Sequence, residues 1–283
     1  LTDKTIGLKS ARRSASLKLL DPSRFSSWPR IKDVKQKLSC GKPILDAIKA
    51  VRFCASADLA SPELYNIHLI GSEDRVYAEA ADGHRLARVC LNCAAEGLDV
   101  MIPLKAALKM PTLEGKVLSF KFGNFFAFIT EESGVQKTVS CRTANGSYPD
   151  LAGILPKAFK TKAVVGKNEF VRLLQSSVPF SDPNYKETVL SFSEKGCSVG
   201  AESGSLGRFD ASARLKSFVG PDLTLLVDAR MILDFAVSSE DNIVLEFNSK
   251  VDPFRIRSNS KGFIYLMWPL VRNDAGANKV GGE

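Results

Sequence analysis

The sequence predicts an α+β fold made of a duplicated domain, each copy with two amphipathic helices packed on antiparallel sheets. Three observations predict it. Each half of the chain contains two helix-period segments. Alternating apolar and polar runs lie between and after them. The landmarks of the first half return in the second at offsets of 125, 125 and 127 residues. Unit lengths near 125 residues are far above the roughly 20–50 of a solenoid repeat, so they read as whole domains.

Taken in order, the first helix is expected from Pro43 to Phe53, where Ile44, Leu45, Ile48 and Val51 share one face. Its counterpart begins at Asn168, taken as the N-cap, and runs through Phe170, Val171, Leu173 and Leu174. The second helix of the first half starts with Pro103 at its first position and continues to Met110. Its counterpart starts from Asp228 as N-cap and continues to Phe235. Strands of one design follow each second helix, Val117–Phe120 and Val244–Phe247. Alternating runs at Ile67–Ile70, Val76–Ala80, Val189–Phe192 and Leu223–Val227 fill the sheets. The resulting division is an N-terminal segment 1–37, domains at 38–152 and 153–272, and a flexible tail at 273–283.

The chain has 283 residues and a net charge of +8, with 45% hydrophobic and 25% charged residues, which excludes disordered, collagenous and membrane-spanning classes. No run approaches the ~18 apolar residues of a membrane span. Lys4, Lys9, Arg12, Arg13 and Lys18 interrupt every stretch that could serve as a secretory core, which points to a cytoplasmic protein. The charge is uneven: residues 1–37 hold ten Lys+Arg against three Asp+Glu, and the remainder is nearly balanced. A uniformly basic nucleic-acid binder is thereby excluded.

The six cysteines, Cys40, Cys54, Cys90, Cys93, Cys141 and Cys197, are expected as buried thiols and not as a disulfide framework. Cys90 and Cys93 have metal-ligand spacing, but a structural zinc site needs four ligands, and only His68 and His84 are available besides. No metal and no cofactor is expected.

The most distinctive string is Ala81-Asp82-Gly83-His84-Arg85-Leu86-Ala87, a turn signal followed by a histidine. No nucleophile motif accompanies it, so no catalytic residues are assigned. The string resembles the A-T-D-G-H-R-L-A signature of the bacterial β sliding clamps, the processivity subunits of DNA polymerase III. Tyr148-Pro149-Asp150 with Ile154-Leu155-Pro156 is similar to that family's linker between its second and third domains. Tyr265-Leu266-Met267-Trp268-Pro269-Leu270 is similar to its C-terminal ending. The resemblance covers about 38–272, the family's middle and C-terminal domains. It makes 1–37 either a basic arm or the remnant of a first clamp domain, with Ser14–Leu20, Phe25 and Trp28 resembling that domain's last strand and linker. Truncated, fragmentary and natural two-domain forms all remain open.

The resemblance implies a DNA-clamp fold and a protein that is not an enzyme. It implies a ring around duplex DNA with helices inside and sheets outside, replicating DNA in the cytoplasm at the nucleoid. The helix cations Lys42, Lys49, Arg52, Lys105, Lys109, Lys167, Arg172 and Arg230 would then face phosphates, opposed on the same helices by Asp46, Glu169, Asp228 and Asp234. Taken without the resemblance, the same pattern is that of ordinary solvated helix faces. It further implies a pocket for short apolar peptides of the polymerase, the clamp loader and other partners, formed by Gly83, His84, Arg85, Leu86, Pro149, Ile154, Met231, Leu266, Trp268, Pro269 and Leu270. Ala81, Gly153, Asp228, Met231 and Trp268 depart from the family's Thr, Arg, Asn, Tyr and Met, which alters the pocket's shape. Self-association is expected, with a trimer of two-domain chains preferred to a monomer. Two alternatives stand beside this reading: a clamp-like decoy that takes clamp ligands without encircling DNA, and a nucleic-acid-modifying enzyme using His84 and Cys90/Cys93.

Overall fold

The computed structural model of the protein describes residues 5–24, 34, 36–58, 60–239, 242–258, 262–272 and 278–280. Phe25, Trp28 and the tail residues 273–277 and 281–283 lie outside the described residues. The chain clusters into two compact units, Leu1–Val34 and Lys35–Glu283. The first is a hairpin of β1 (Thr5–Ser10) and β2 (Arg13–Lys18), joined through a turn at Ala11-Arg12 with Ser10 opposite Arg13.

The second unit opens with β3 (Gln36–Leu38), α1 (Gly41–Val51), β4 (Asn66–Gly71), β5 (Arg75–Ala81), β6 (Arg85–Asn92), β7 (Asp99–Pro103), α2 (Leu104–Leu108), β8 (Val117–Phe122), β9 (Phe125–Glu132) and β10 (Val135–Arg142). It continues with β11 (Thr161–Gly166), α3 (Lys167–Ser177), β12 (Glu187–Ser193), β13 (Gly196–Ser203), β14 (Gly207–Ala213), β15 (Leu215–Val219), β16 (Leu223–Asp228), α4 (Ala229–Ala236), β17 (Asn242–Phe247), β18 (Phe254–Arg257), β19 (Phe263–Met267), β20 (Leu270–Arg272) and β21 (Asn278–Val280).

Duplication is visible in the strand orders. The first half contributes β10-β9-β8-β3 and β7-β4-β5-β6, and the second contributes β19-β18-β17-β11 and β16-β12-β13-β14. Position for position these are the same two four-stranded arrangements. β15 extends the second copy beside β11, and β20 and β21 extend it beside β16. The halves are joined where β19 pairs antiparallel with β6, from Phe263 opposite Val89 to Met267 opposite Arg85, giving one nine-stranded sheet.

Helices cover these sheets. α1 buries Ile44, Leu45, Ala47, Ile48 and Val51 against β5, β6 and β8, and α4 buries Ala229, Ile232, Phe235 and Ala236. These side chains belong to one continuous apolar core. α1 starts two residues before Pro43, at Gly41, where a Cβ would stand 2.6 Å from the carbonyl oxygen of Val117, so the helix end rests directly on the β8 backbone. A proline in the first helical turn removes no helical hydrogen bond.

Two expected helix starts are corrected. Pro103 flanks α2 and is not its first residue, and α2 ends at Leu108, because Met110 precedes Pro111 and is pushed out of helical geometry. Asn168 lies within α3; the residue before that helix is Gly166, which has no side chain to cap it. Asp228 does cap α4, its carboxylate accepting from the Arg230 N–H at 2.9 Å. Among the described residues no helix is long and apolar enough to cross a membrane.

Candidate functional site

The two cations of α1, and Arg52 just after it, all lean onto the segment at and after α2. Lys42 donates to the Leu113 carbonyl at 3.2 Å, Lys49 to the Thr112 hydroxyl at 3.5 Å, and Arg52 to the Ala107 carbonyl at 3.0 Å. Sequence patterning shows these residues only as charges on a helix. In the structure each donates to a neutral oxygen, which leaves its charge uncancelled there, and Lys42 also lies 3.9 Å from the carboxylate of Asp46. Lys105, Lys109 and Arg172 are exposed. Lys167 donates to the Ser239 carbonyl at 2.5 Å, and Arg230 lies 3.6 Å from the carboxylate of Asp228.

The second group of expected site residues divides. Asp82 accepts from the N–H groups of His84 (2.9 Å) and Arg85 (3.0 Å), which closes the turn at Gly83, where φ is +86°. Arg85 turns away from the surface. Its guanidinium donates to Asp82 at 2.8 Å, to Asp234 of α4 at 2.5 Å and to the Phe53 carbonyl at 2.9 Å. Leu86 and Leu266 face each other across the β6–β19 pair and are fully buried. With Ala81 and Leu151 they form a separate small core, packed around by Leu64, Tyr148, Leu155, Ile264 and Trp268. The Trp268 N–H donates to the His84 carbonyl at 3.0 Å, tying the C-terminal segment to the turn.

Around this core, His84, Gly83 and Pro149 are exposed and Ile154 is 40% exposed. Pro269 is buried. Met231 packs on the main core, its carbonyl accepting from the Tyr265 hydroxyl at 2.7 Å, and Leu270 sits in β20 opposite Leu226. Neither belongs to the Leu86–Leu266 cluster. The linker residues Tyr148, Leu151 and Leu155 do; Tyr148 and Leu155 lie in the strings that mark the linker in the sequence, while Leu151 is marked by no local pattern. Tyr148 also accepts the Ala81 N–H at 3.1 Å and stacks on His68 at 4.7 Å between ring centroids.

The cysteine expectation needs correction. Cys40 and Cys93 are joined by a disulfide across a separation of 53 residues, while Cys54, Cys90, Cys141 and Cys197 are free. Cys93 is therefore not available to act with Cys90, because strand pairing brings the β6–β7 loop to the start of α1. Burial pushes the Cys141 thiol up to about 11 and the Cys197 thiol up to about 12, so both stay protonated and unreactive at neutral pH. Among the described residues no group of three or more His, Cys, Asp or Glu side chains is placed to hold a metal ion.

No model of a known protein family matches the chain. It is 21% identical over 259 residues to the β sliding clamp of Staphylococcus aureus (strain Mu50 / ATCC 700699), covering 88% of this chain and 67% of that protein. It is 26% identical over 176 residues to the β sliding clamp of Helicobacter pylori, covering 59% and 46%. The DNA polymerase sliding clamp of Bacillus subtilis superposes with a TM-score of 0.81 at 20% identity, over 95% of this chain and 72% of that one. The sliding clamp of Bartonella birtlesii bound to griselimycin gives 0.82 at 20% identity, over 96% and 75%. Sequence and fold agree: the chain is similar to the bacterial β sliding clamps, the DNA polymerase III β subunits, and carries their fold.

Proposed function

We propose that the protein works as a DNA sliding clamp, a ring that holds a polymerase on duplex DNA and has no chemistry of its own. The repeated strand order supports this best. β14 occupies in its half the place of β6, and β10 occupies the place of β19, and both end their sheets. Pairing either edge with the matching strand of another such domain would repeat the β6–β19 junction. Head-to-tail repetition of one junction closes a ring when the rotation fits. For the 283-residue chain taken by itself, six domains correspond to three copies.

In this reading Lys42, Lys49, Arg52, Lys105, Lys109, Lys167, Arg172 and Arg230 face the duplex and attract phosphates without reading bases, so the ring holds no fixed register. Tethering raises the local concentration of a polymerase, which rebinds the primer end before it diffuses away. The polymerase, the clamp loader and other partners would insert a short apolar peptide beside Trp268, Leu155 and Ile154. Gly83, His84 and Pro149 form the rim, and Leu86 and Leu266 lie beneath as support. The work is cytoplasmic, at the nucleoid.

Retention on closed circular DNA, compared with linear DNA, tests the ring. Replacing Lys49, Arg52, Lys105 and Lys109 by Glu is expected to weaken retention and flatten its salt dependence. Retention unchanged across a salt titration would overturn the assignment of these residues. A mass of 30.8 kDa and nothing larger near physiological concentration would exclude a ring of this chain. Binding of a Q-L-x-L-F peptide without retention on circular DNA would identify a decoy of clamp ligands instead.

A further inference from the structure

A cleft of about 810 Å³ opens between α1 and the C-terminal end of α4, over strands β6 and β19. Two features of its wall are independent of each other. The first is aromatic. Phe263 stacks on Phe235 (5.5 Å between centroids, 10° between planes), Phe235 on Tyr265 (5.2 Å, 5°), and Tyr265 meets Phe53 at 5.6 Å. The inner two rings are buried, while the outer two, Phe263 and Phe53, are half-buried and line the cleft. The second is charge. The wall contains two carboxylates and two cations. Asp46 lies 3.9 Å from Lys42, and Asp234 lies 2.5 Å from Arg85, which is shared with Asp82 at 2.8 Å, so with these outside partners four cations stand against three carboxylates. Lys49 and Arg52 donate to the neutral oxygens of Thr112 and Ala107, which leaves the cleft net positive.

A cleft lined both by an aromatic ring and by two cations fits a ligand that carries a planar base and a phosphate. A base inside a duplex has both faces covered by its neighbours, so only an unpaired base has a face free to stack. We propose that this cleft seats an unpaired nucleotide of a single strand, its base on Phe263 and its phosphate between Lys49 and Arg52. The site goes beyond the ring reading, which needs duplex phosphates alone. A short open-ended oligomer cannot be retained by encirclement, so failure of this proposal would leave the ring standing.

The test uses the full chain with a twelve-residue thymidine oligomer, an abasic oligomer of the same length, and a copy of the first carrying 5-iodouracil. The thymidine oligomer is expected to bind at least tenfold more tightly than the abasic one, since stacking of a base on an aromatic side chain is of that order. Phe263→Leu, which keeps the position apolar but removes the ring, should remove the difference and leave abasic binding unchanged. Ala50→Phe, at an exposed position on the α1 wall, should block the cleft without touching the core. Lys49→Glu with Arg52→Glu should weaken both oligomers. Photocross-links should fall on the segments containing Phe53 or Phe263. Equal affinity for the two oligomers, no effect of Phe263→Leu and Ala50→Phe, or cross-links confined to other segments would each overturn the proposal.

Discussion

The Nδ1 of His68 lies 2.9 Å from a carboxylate oxygen of Glu79, and both side chains are buried. The other ring nitrogen lies 3.0 Å from Asp99. An imidazole with an acceptor at each nitrogen satisfies both only as the doubly protonated cation. Arg88 stands 3.2 Å from the second oxygen of Glu79, and Tyr148 covers the ring from the linker side. Burial pulls the His68 pKa down, but hydrogen bonds to Glu79 and Asp99 and their charges outweigh it and raise it above the ordinary 6.5. A raised folded pKa means stability that is complete below the ordinary value and lost as pH rises through the folded value. The melting temperature is therefore expected to fall as pH rises above the ordinary 6.5 and through the raised folded value, and His68→Gln should remove that part of the slope. An NMR titration placing the His68 midpoint at or below 6.5 would refute this.

Arg85 connects the two halves. Its side chain is 13% exposed and meets Asp82 of its own turn and Asp234 of α4. Removing one member of a buried ion pair leaves its partners uncompensated. Arg85→Met is expected to cost about 3 kcal/mol in urea unfolding, of the order seen when such a pair is broken. Asp234→Asn should cost under about 1 kcal/mol, because Asp234 is 48% exposed. Equal costs for the two variants would show that Arg85 does not act through the Asp82 and Phe53 contacts.

Much of this architecture was legible in the sequence. The recurrence of Asp228 after Pro103 at a constant offset reflects a real structural equivalence, since both precede a short helix that follows the same strand of the repeated sheet, β7 or β16. Apolar periodicity placed α1 because Ile44, Leu45, Ile48 and Val51 all face one core. Periodicity reports only the face of an element, however, and contacts between distant segments leave no local trace. Cys40 and Cys93, Arg85 and Asp234, and His68 and Glu79 meet only after the strands have paired. For the same reason Arg85, placed on the pocket wall by motif matching, points into the α4 junction, and Met231 belongs to the main core. The linker strings holding Tyr148 and Leu155 were legible as motifs, but their packing with Leu151 on the Leu86–Leu266 cluster comes from tertiary structure.

The Cys40–Cys93 disulfide closes a separation of 53 residues. In the chain-entropy description, cross-linking a loop of that length restricts the unfolded state by about 4 kcal/mol. Unfolding by urea in dithiothreitol is expected to shift to lower denaturant by up to that amount, and Cys40→Ser should reproduce the shift and abolish any further response to reductant. Coincident unfolding curves with and without dithiothreitol would show that the bond contributes nothing.

Leu86 and Ile154 separate support from contact at the expected peptide site. Leu86 is fully buried, and Leu86→Ala should cost about 2–5 kcal/mol through lost burial and the cavity left behind. Any loss of peptide affinity in that variant is then mixed with loss of structure. Ile154 is 40% exposed, so Ile154→Ser should change stability by no more than about 0.5 kcal/mol. If apolar partner peptides dock beside Trp268, Ile154→Ser should still weaken a Q-L-x-L-F peptide several-fold in calorimetric titration, because Ile154 is an exposed apolar side chain next in sequence to Leu155, which packs on the cluster. A variant with unchanged stability and unchanged affinity would move the docking site away from the linker. Weakening by Leu86→Ala alone, in step with its unfolding, would point to the same conclusion, since a buried support residue affects binding only by way of the fold it maintains.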